Sequence, residues 1–275
     1  MKKVKGGLKG IIIFLICVIE IYPLFWMLTA SFKKQAEWSE KPAYALNDGF
    51  YVQNYIDAWT RGHMATFFKN SLITTVVSLI FIVVFSVTVG FAVTKMKWKF
   101  KGAVAQFFAF GIMVPVAVAL IPLFQIYSRT NLLNTRTCLI LTYIAFGLSL
   151  SIYLVQGYLR AFPDDIMEAA VIDGCDIYKM MWYIVVPLMK NAIVTVLVLQ
   201  FFFKWNDLLF SMTFISDSSL KTVQTGLLYF SNEFGSKNWG AIFASVSLSV
   251  FPMLILYTIL NKKVMEGMTA GAVKG

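Results

Sequence analysis

Six stretches of this 275-residue chain, at about 11–31, 70–94, 104–127, 138–158, 187–203 and 240–261, are apolar and almost free of charge. A bilayer core about 30 Å thick is crossed by about 20 apolar residues in a helix. In lipid every backbone amide must be satisfied within its own segment, so helices are the form such runs take. Charged residues make up 14% of the chain, against about a quarter in soluble domains. The expected fold class is therefore an all-α integral membrane protein, a polytopic bundle of six transmembrane helices. Residues 1–275 then form a single transmembrane domain with little room for a soluble one.

The net charge of +10 would suggest nucleic acid in a soluble protein. Its placement gives a simpler account. Lys2, Lys3, Lys5 and Lys9 precede the first run, and Lys95, Lys97, Lys99 and Lys101 fill the short loop after the second. Basic residues in short loops stay cytoplasmic. Both termini, the loop at 159–187 and the tail at 262–275 are then expected inside, in a multi-pass protein of a prokaryotic plasma membrane. The first run is too long for the apolar core of a signal peptide and lacks a small-residue cleavage site.

The loop between the fourth and fifth runs differs from the rest of the chain. Asp164, Asp165, Glu168, Asp173 and Asp176 crowd into it. The acids at 164 and 165 open a good helix former, Ile166 to Ile172, at the end where the helix dipole favours negative charge. Asp173-Gly174 is expected to stop that helix, because glycine takes the left-handed conformation a C-cap needs. Cys175 to Tyr183 forms a second short helix, and Pro187 opens the next apolar run. The product is a helix-turn-helix bracket on the membrane surface, or else an ordinary amphipathic connector.

Elsewhere, Glu20 lies inside the first apolar run. An acid there marks either a functional site or a carboxyl satisfied by neighbouring helices. Pro115 and Pro122 both fall in the third run, and broken helices tend to line transport paths. Trp205, Asn206 and Asp207 follow the fifth run. An aromatic beside an amide and a carboxylate suits a sugar, whose C–H face stacks while its hydroxyls bond; an interfacial aromatic belt explains the same residues. The polar, aromatic segment 31–69 either meets an external partner or lies on headgroups. His63 stands alone, and Cys17, Cys138 and Cys175 are scattered, so no metal site, disulfide framework or catalytic constellation follows.

The register Glu168-Ala169-Ala170, Gly174, then Ile184-Val185-Val186-Pro187 resembles the loop motif of permease subunits of ATP-binding-cassette importers, with Val186 where that family usually has Leu. The ending from Glu266-Gly267 to Gly275 and the Lys204-Trp205-Asn206-Asp207 stretch are similar to the smaller permease subunit of maltose-type carbohydrate importers. The resemblance implies that the bracket is a coupling helix docking on a cytoplasmic ATPase, with Glu168, Ala169, Ala170, Asp173, Gly174, Asp176 and Pro187 in the motif and Glu266 and Gly267 reaching the ATPase dimer. It implies a second permease that is a different chain, an extracytoplasmic solute-binding protein and a sugar as cargo. No Gly-rich phosphate loop occurs, so this chain is expected to bind no cofactor and to have no enzyme activity, ATP and Mg residing on the partner ATPase. The competing readings are an ion-coupled secondary transporter, for which Glu20 is the one relay candidate, and a permease for another solute such as glycerol-phosphate.

Overall fold

The computed structural model describes the backbone of residues 2–233 and 238–272, and the side chains of 9–228 and 238–262. Among the described residues every regular element is helical. Four helices are long and apolar enough to cross a membrane: α1 (Lys2–Ala30), α4 (Met64–Thr94), α7 (Arg136–Arg160) and α14 (Trp239–Ala272). Two bent pairs complete six candidate spans, α5 (Lys101–Met113) with α6 (Val116–Arg129) at 102°, and Ile177–Leu188 with α11 (Lys190–Trp205) at 75°. Short helices α2 (Glu37–Glu40), α3 (Gln53–Thr60), α8 (Asp165–Ile172), α12 (Leu209–Phe214) and α13 (Val223–Glu233) fill the connections. In Ile177–Leu188, α9 (Ile177–Lys179) and α10 (Val186–Leu188) flank a π-helical segment, Met180–Val185.

The chain divides into two compact units, Met1–Ala65 with Gly226–Pro252, and Thr66–Thr225 with Met253–Gly275. In the first, residues 10–30 of α1 carry no charge but Glu20, and residues 9–25 are exposed, while Trp26 donates to the Ala43 carbonyl and meets Phe243 edge-on. Segment 31–65 builds a small helical layer of its own. Buried Asn54 donates to the Ser31 and Lys33 carbonyls, each at 2.8 Å. Buried Glu37 accepts from the Lys34 and Asp48 amides. Trp38 stacks on Phe243 at 5.3 Å. A buried carboxylate with two N–H donors is compensated, so this segment is held by internal bonds.

The second unit is assembled around α7. Ser78 of α4 donates to the Ile140 carbonyl at 3.4 Å, and Gln200 of α11 donates to the Gly147 carbonyl at 3.1 Å. Gly111 of α5 lies so close to Ser149 that an added Cβ would collide with its hydroxyl. Helix association in lipid relies on such close packing and interhelical bonds.

Two expectations are corrected. The third run is two helices, broken at Val114 and Pro115, both extended (ψ 114° and 129°), whereas Pro122 sits inside α6 without a break. Proline restricts the residue before it to extended backbone, which accounts for Val114. Pro187 does not open the fifth span. The helical path continues past it to Leu188, and the bend falls at Met189, with α11 starting at Lys190. The preceding π segment carries the Val186 N–H back to the Met181 carbonyl. Pro187, having no N–H, follows it without leaving a donor unmet.

Candidate functional site

The bracket is built from bonds that a local reading of the chain explains. Asp164 stands just before α8, but its side chain caps no amide of that helix. Its carboxylate accepts instead from Lys95 Nζ at 2.6 Å, and the same ammonium donates to the Phe162 carbonyl at 2.9 Å. Lys95, at the end of α4 and nearly buried, thus ties down the entrance of the bracket. The Lys95 bond and charge hold the Asp164 carboxyl below the usual carboxylate range.

Helix α8 ends as anticipated. Gly174 has φ +76°, its N–H reaches the Val171 carbonyl at 3.0 Å, and the Cys175 N–H reaches the Ala170 carbonyl at 2.9 Å. This pair of bonds is a Schellman termination, with glycine at the position where a Cβ is disfavoured. Asp176 then caps the second helix, its Oδ1 accepting from the Tyr178 and Lys179 amides at 2.9 Å each. The Lys179 amide above all, with that of Tyr178, lowers the Asp176 carboxyl below its ordinary range. Both ends of the turn are therefore fixed by hydrogen bonds of the chain itself.

The three residues of Glu168-Ala169-Ala170 have three different surroundings. Ala170 is 5% exposed and packs in a core with Phe91, Val155, Leu159, Met180 and Met181. Ala169 is exposed. Glu168 lines an open groove of about 1020 Å³ shared with Lys95, Lys97, Lys101 and Arg160. Beyond Ala170 the bracket presents large apolar side chains outward: Ile172 is 85%, Tyr178 74% and Tyr183 79% exposed. Exposed apolar groups interspersed with Asp173 and Asp176 on a rigid frame have the composition of an interaction surface.

A second feature of this unit is a cavity of about 530 Å³ between the α5–α6 break, α7 and the end of α11. Gly111, Val114 and Val116 line it at the break, and Tyr143, Gln200, Lys204 and Asp207 supply its polar groups. Asp207 accepts from Tyr143 Oη at 2.8 Å and from the Phe210 and Ser211 amides at 3.2 and 3.0 Å. The carboxylate therefore caps the start of α12 and anchors a side chain of α7. Asn206 also lines the cavity, donating to the Phe202 carbonyl and accepting from Gln224.

Of the residues singled out in the sequence, the structure gathers Glu168, Ala169, Ala170, Asp173, Gly174 and Asp176 in the bracket. Pro187 lies beyond it in the helical run. Asn206 and Asp207 line the cavity, and Pro115 forms the break beside it. Pro122 does not line it, and Glu20 is exposed on α1 in the other unit. Trp205 is corrected: it is 2% exposed, stacked on Phe201 at 5.4 Å and met edge-on by Phe68 at 5.5 Å, so it has no open face for a sugar. The side chains of Glu266 and Gly267 lie outside the described residues. Lys95, Tyr143, Gln200 and Lys204 were missed. An ionisable residue at the end of an apolar run was the available signal for Lys204.

Residues 82–266 match the family described as "Binding-protein-dependent transport system inner membrane component". The chain is similar to the diacetylchitobiose uptake system permease protein NgcG of Streptomyces coelicolor, 29% identical over 92% of this chain and 84% of that one. It is similar to the probable starch degradation products transport system permease protein AmyC of Thermoanaerobacterium thermosulfurigenes, 30% identical over 92% of each. Its fold resembles a chain in the crystal structure of a bacterial ABC transporter involved in the import of the acidic polysaccharide alginate, with a TM-score of 0.85, 18% identity, and coverage of 94% of this chain and 96% of that one.

Proposed function

This chain belongs to the family of binding-protein-dependent transport system inner membrane components, and from that membership we propose how its geometry serves the role. It is a permease subunit of an ATP-driven sugar importer, a multi-pass protein of the plasma membrane that works with an ATPase, another permease and a solute-binding protein. The bracket from Asp164 to Tyr183 is the docking element for the ATPase. The observation that carries this reading is its combination of a fully bonded turn at Gly174 with outward-facing Ile172, Tyr178 and Tyr183.

In this reading ATP and Mg stay on the partner ATPase, which closes as a dimer, and this chain performs no chemistry of its own. Its termini and bracket face the cytoplasm, its tail with Glu266 and Gly267 approaches the ATPase, and the second permease is a different chain. The uncovered apolar surface of α1 faces that permease or lipid. Closure of the ATPase shifts the bundle between inward- and outward-facing states only by its differential free energy for the two. Firm attachment of the bracket to α4 and α7, through Lys95 and the core around Ala170, suits it to carry that difference.

Proteoliposomes test this. With the ATPase, second permease and solute-binding protein present, neutral oligosaccharides are expected to accumulate on ATP addition. Omitting the ATPase is expected to abolish uptake, even under an imposed ion gradient. Ion-driven uptake by the permeases alone would overturn the reading in favour of a secondary transporter.

A further inference from the structure

The open groove beside the bracket, about 1020 Å³ in volume, carries more positive charge than negative. Lys95 and Asp164 in its wall pair with each other. That leaves Lys97, Lys101 and Arg160 against a single further acid, Glu168. Lys97 and Lys101 make no hydrogen bond or ion pair with a described residue. The Arg160 guanidinium reaches only Gln156 Oε1, at 3.5 Å, among the described residues. Most of the remaining lining is apolar, Phe91, Met96, Met167, Val171 and Met180 among it.

The place of the groove in the fold selects among anionic occupants. Its walls include the ends of two membrane-crossing helices, α4 near Lys95 and α7 at Arg160, and the first residue of α5. Trp98, in the same α4–α5 connection, donates its indole N–H to the Ala92 carbonyl and is 37% exposed. An amphipathic ring so placed marks the depth of the lipid headgroups. From Lys101 onward α5 buries no residue, and Phe107 and Phe110 are 71% and 66% exposed, so the groove adjoins a surface suited to acyl chains. Clusters of Lys and Arg just beyond a span on the cytoplasmic side attract anionic lipids. A guanidinium matches a phosphate diester through parallel N–H bonds, and ammonium groups add point charges. A molecule anionic at one end and apolar at the other answers both parts of the lining; an acidic loop of a soluble partner answers only the cations.

We propose that this groove binds an anionic phospholipid of the cytoplasmic leaflet, its phosphate held by Lys97, Lys101 and Arg160 and an acyl chain lying against the apolar lining. The inference rests on the cytoplasmic placement of the bracket in the reading above and adds to it a ligand seated beside the docking element.

The test uses the complete importer in nanodiscs. Val171→Cys, at a groove residue that is 61% exposed, is made with Cys17, Cys138 and Cys175 replaced by Ala and is labelled with bimane. Its quenching is followed as 5-doxyl phosphatidylglycerol or 5-doxyl phosphatidylcholine replaces unlabelled phosphatidylcholine. Ile177→Cys, also in the groove, is a second position should the first fail to assemble, and Phe107→Cys on the exposed surface of α5 is the comparison. Two triple variants accompany the label. Lys97→Gln with Lys101→Gln and Arg160→Gln removes the free cations of the groove, while Lys9→Gln with Lys99→Gln and Lys190→Gln removes the same charge from exposed residues outside it.

Half-quenching at 171 is expected at a phosphatidylglycerol fraction roughly tenfold below that needed with phosphatidylcholine, the cations outnumbering the acid. The difference is expected to vanish in the groove variant, to persist in the other triple variant and to be absent at 107. Equal quenching by the two lipids at 171 would overturn the lipid site. A preference that the groove variant keeps, that both triple variants lose alike, or that 107 shows equally would do the same. Quenching by neither lipid would also overturn it, assigning the groove to the docked ATPase. ATP-driven uptake by the same assembly separates these outcomes from failure of the importer reading. Labelling of the Val171→Cys thiol by an impermeant reagent from outside intact cells would remove the cytoplasmic placement and the lipid site together.

Discussion

Gly174→Val is expected to leave the permease inserted and assembled but to lower ATP-driven uptake roughly tenfold, whereas Gly174→Asn should retain most of it. The contrast isolates backbone conformation. A Cβ at 174 would meet nothing within 4 Å, so neither substitution creates a clash. Only the φ of +76° opposes a side chain, at a cost on the order of 1–2 kcal/mol for an ordinary residue and more for a β-branched one, while asparagine tolerates the left-handed region. Valine therefore drives the turn out of its conformation and breaks the bonds from Gly174 and Cys175 to α8. The second helix then leaves α8 at a different angle, and the outward residues on either side of the turn no longer form one surface. Uptake rates normalised to membrane content provide the measurement. Equal uptake by the valine and asparagine variants would show that the turn geometry is not used.

Ala170→Phe is expected to lower the thermal midpoint of the purified permease markedly, and Ala169→Phe to leave it nearly unchanged. The two alanines are adjacent and alike in the sequence, yet Ala170 is in the core against Phe91, Leu159 and Met181 while Ala169 is exposed. Forcing a ring into a filled core costs typically about 1–3 kcal/mol and moves backbone. On an exposed helix position the same ring costs little, because valine-sized or aromatic residues lose only tenths of a kcal/mol of helix propensity. Melting followed by fluorescence in detergent distinguishes the pair. The expectation fails if both variants melt together, whether high or low.

The bracket and the spans were legible because their determinants are local. A charge-free run of about 20 residues reports a membrane helix without knowledge of its neighbours, and an acid-rich segment with glycine after an eight-residue helix reports its own termination. The Pro115 break was legible as a bend for the same reason. The displacement of the fifth span's bend from Pro187 to Met189 was not, since it depends on the π-helical register of Met180–Val185, for which the residues carry no separate code. Trp205 reads identically whether its ring is open or covered. Phe68, which covers one edge, comes from the start of α4. The cavity was hidden likewise: Tyr143 and Asp207 are 64 residues apart, and a tyrosine in an apolar run does not announce that its hydroxyl will hold a carboxylate. Lys95 was visible only as a topology marker, its bond to Asp164 spanning 69 residues.

The central claim, that the bracket is where the ATPase is engaged, is tested most directly by cross-linking from Ile172→Cys and Tyr183→Cys in native membranes. Both carry a short photoactivatable thiol reagent, with Phe50→Cys as the comparison. Cross-links from 172 and 183 to the ATPase subunit, and none from 50, are the expected result. An ATPase cross-link from Phe50, or its absence from both bracket positions in an importer that still transports, would contradict the account.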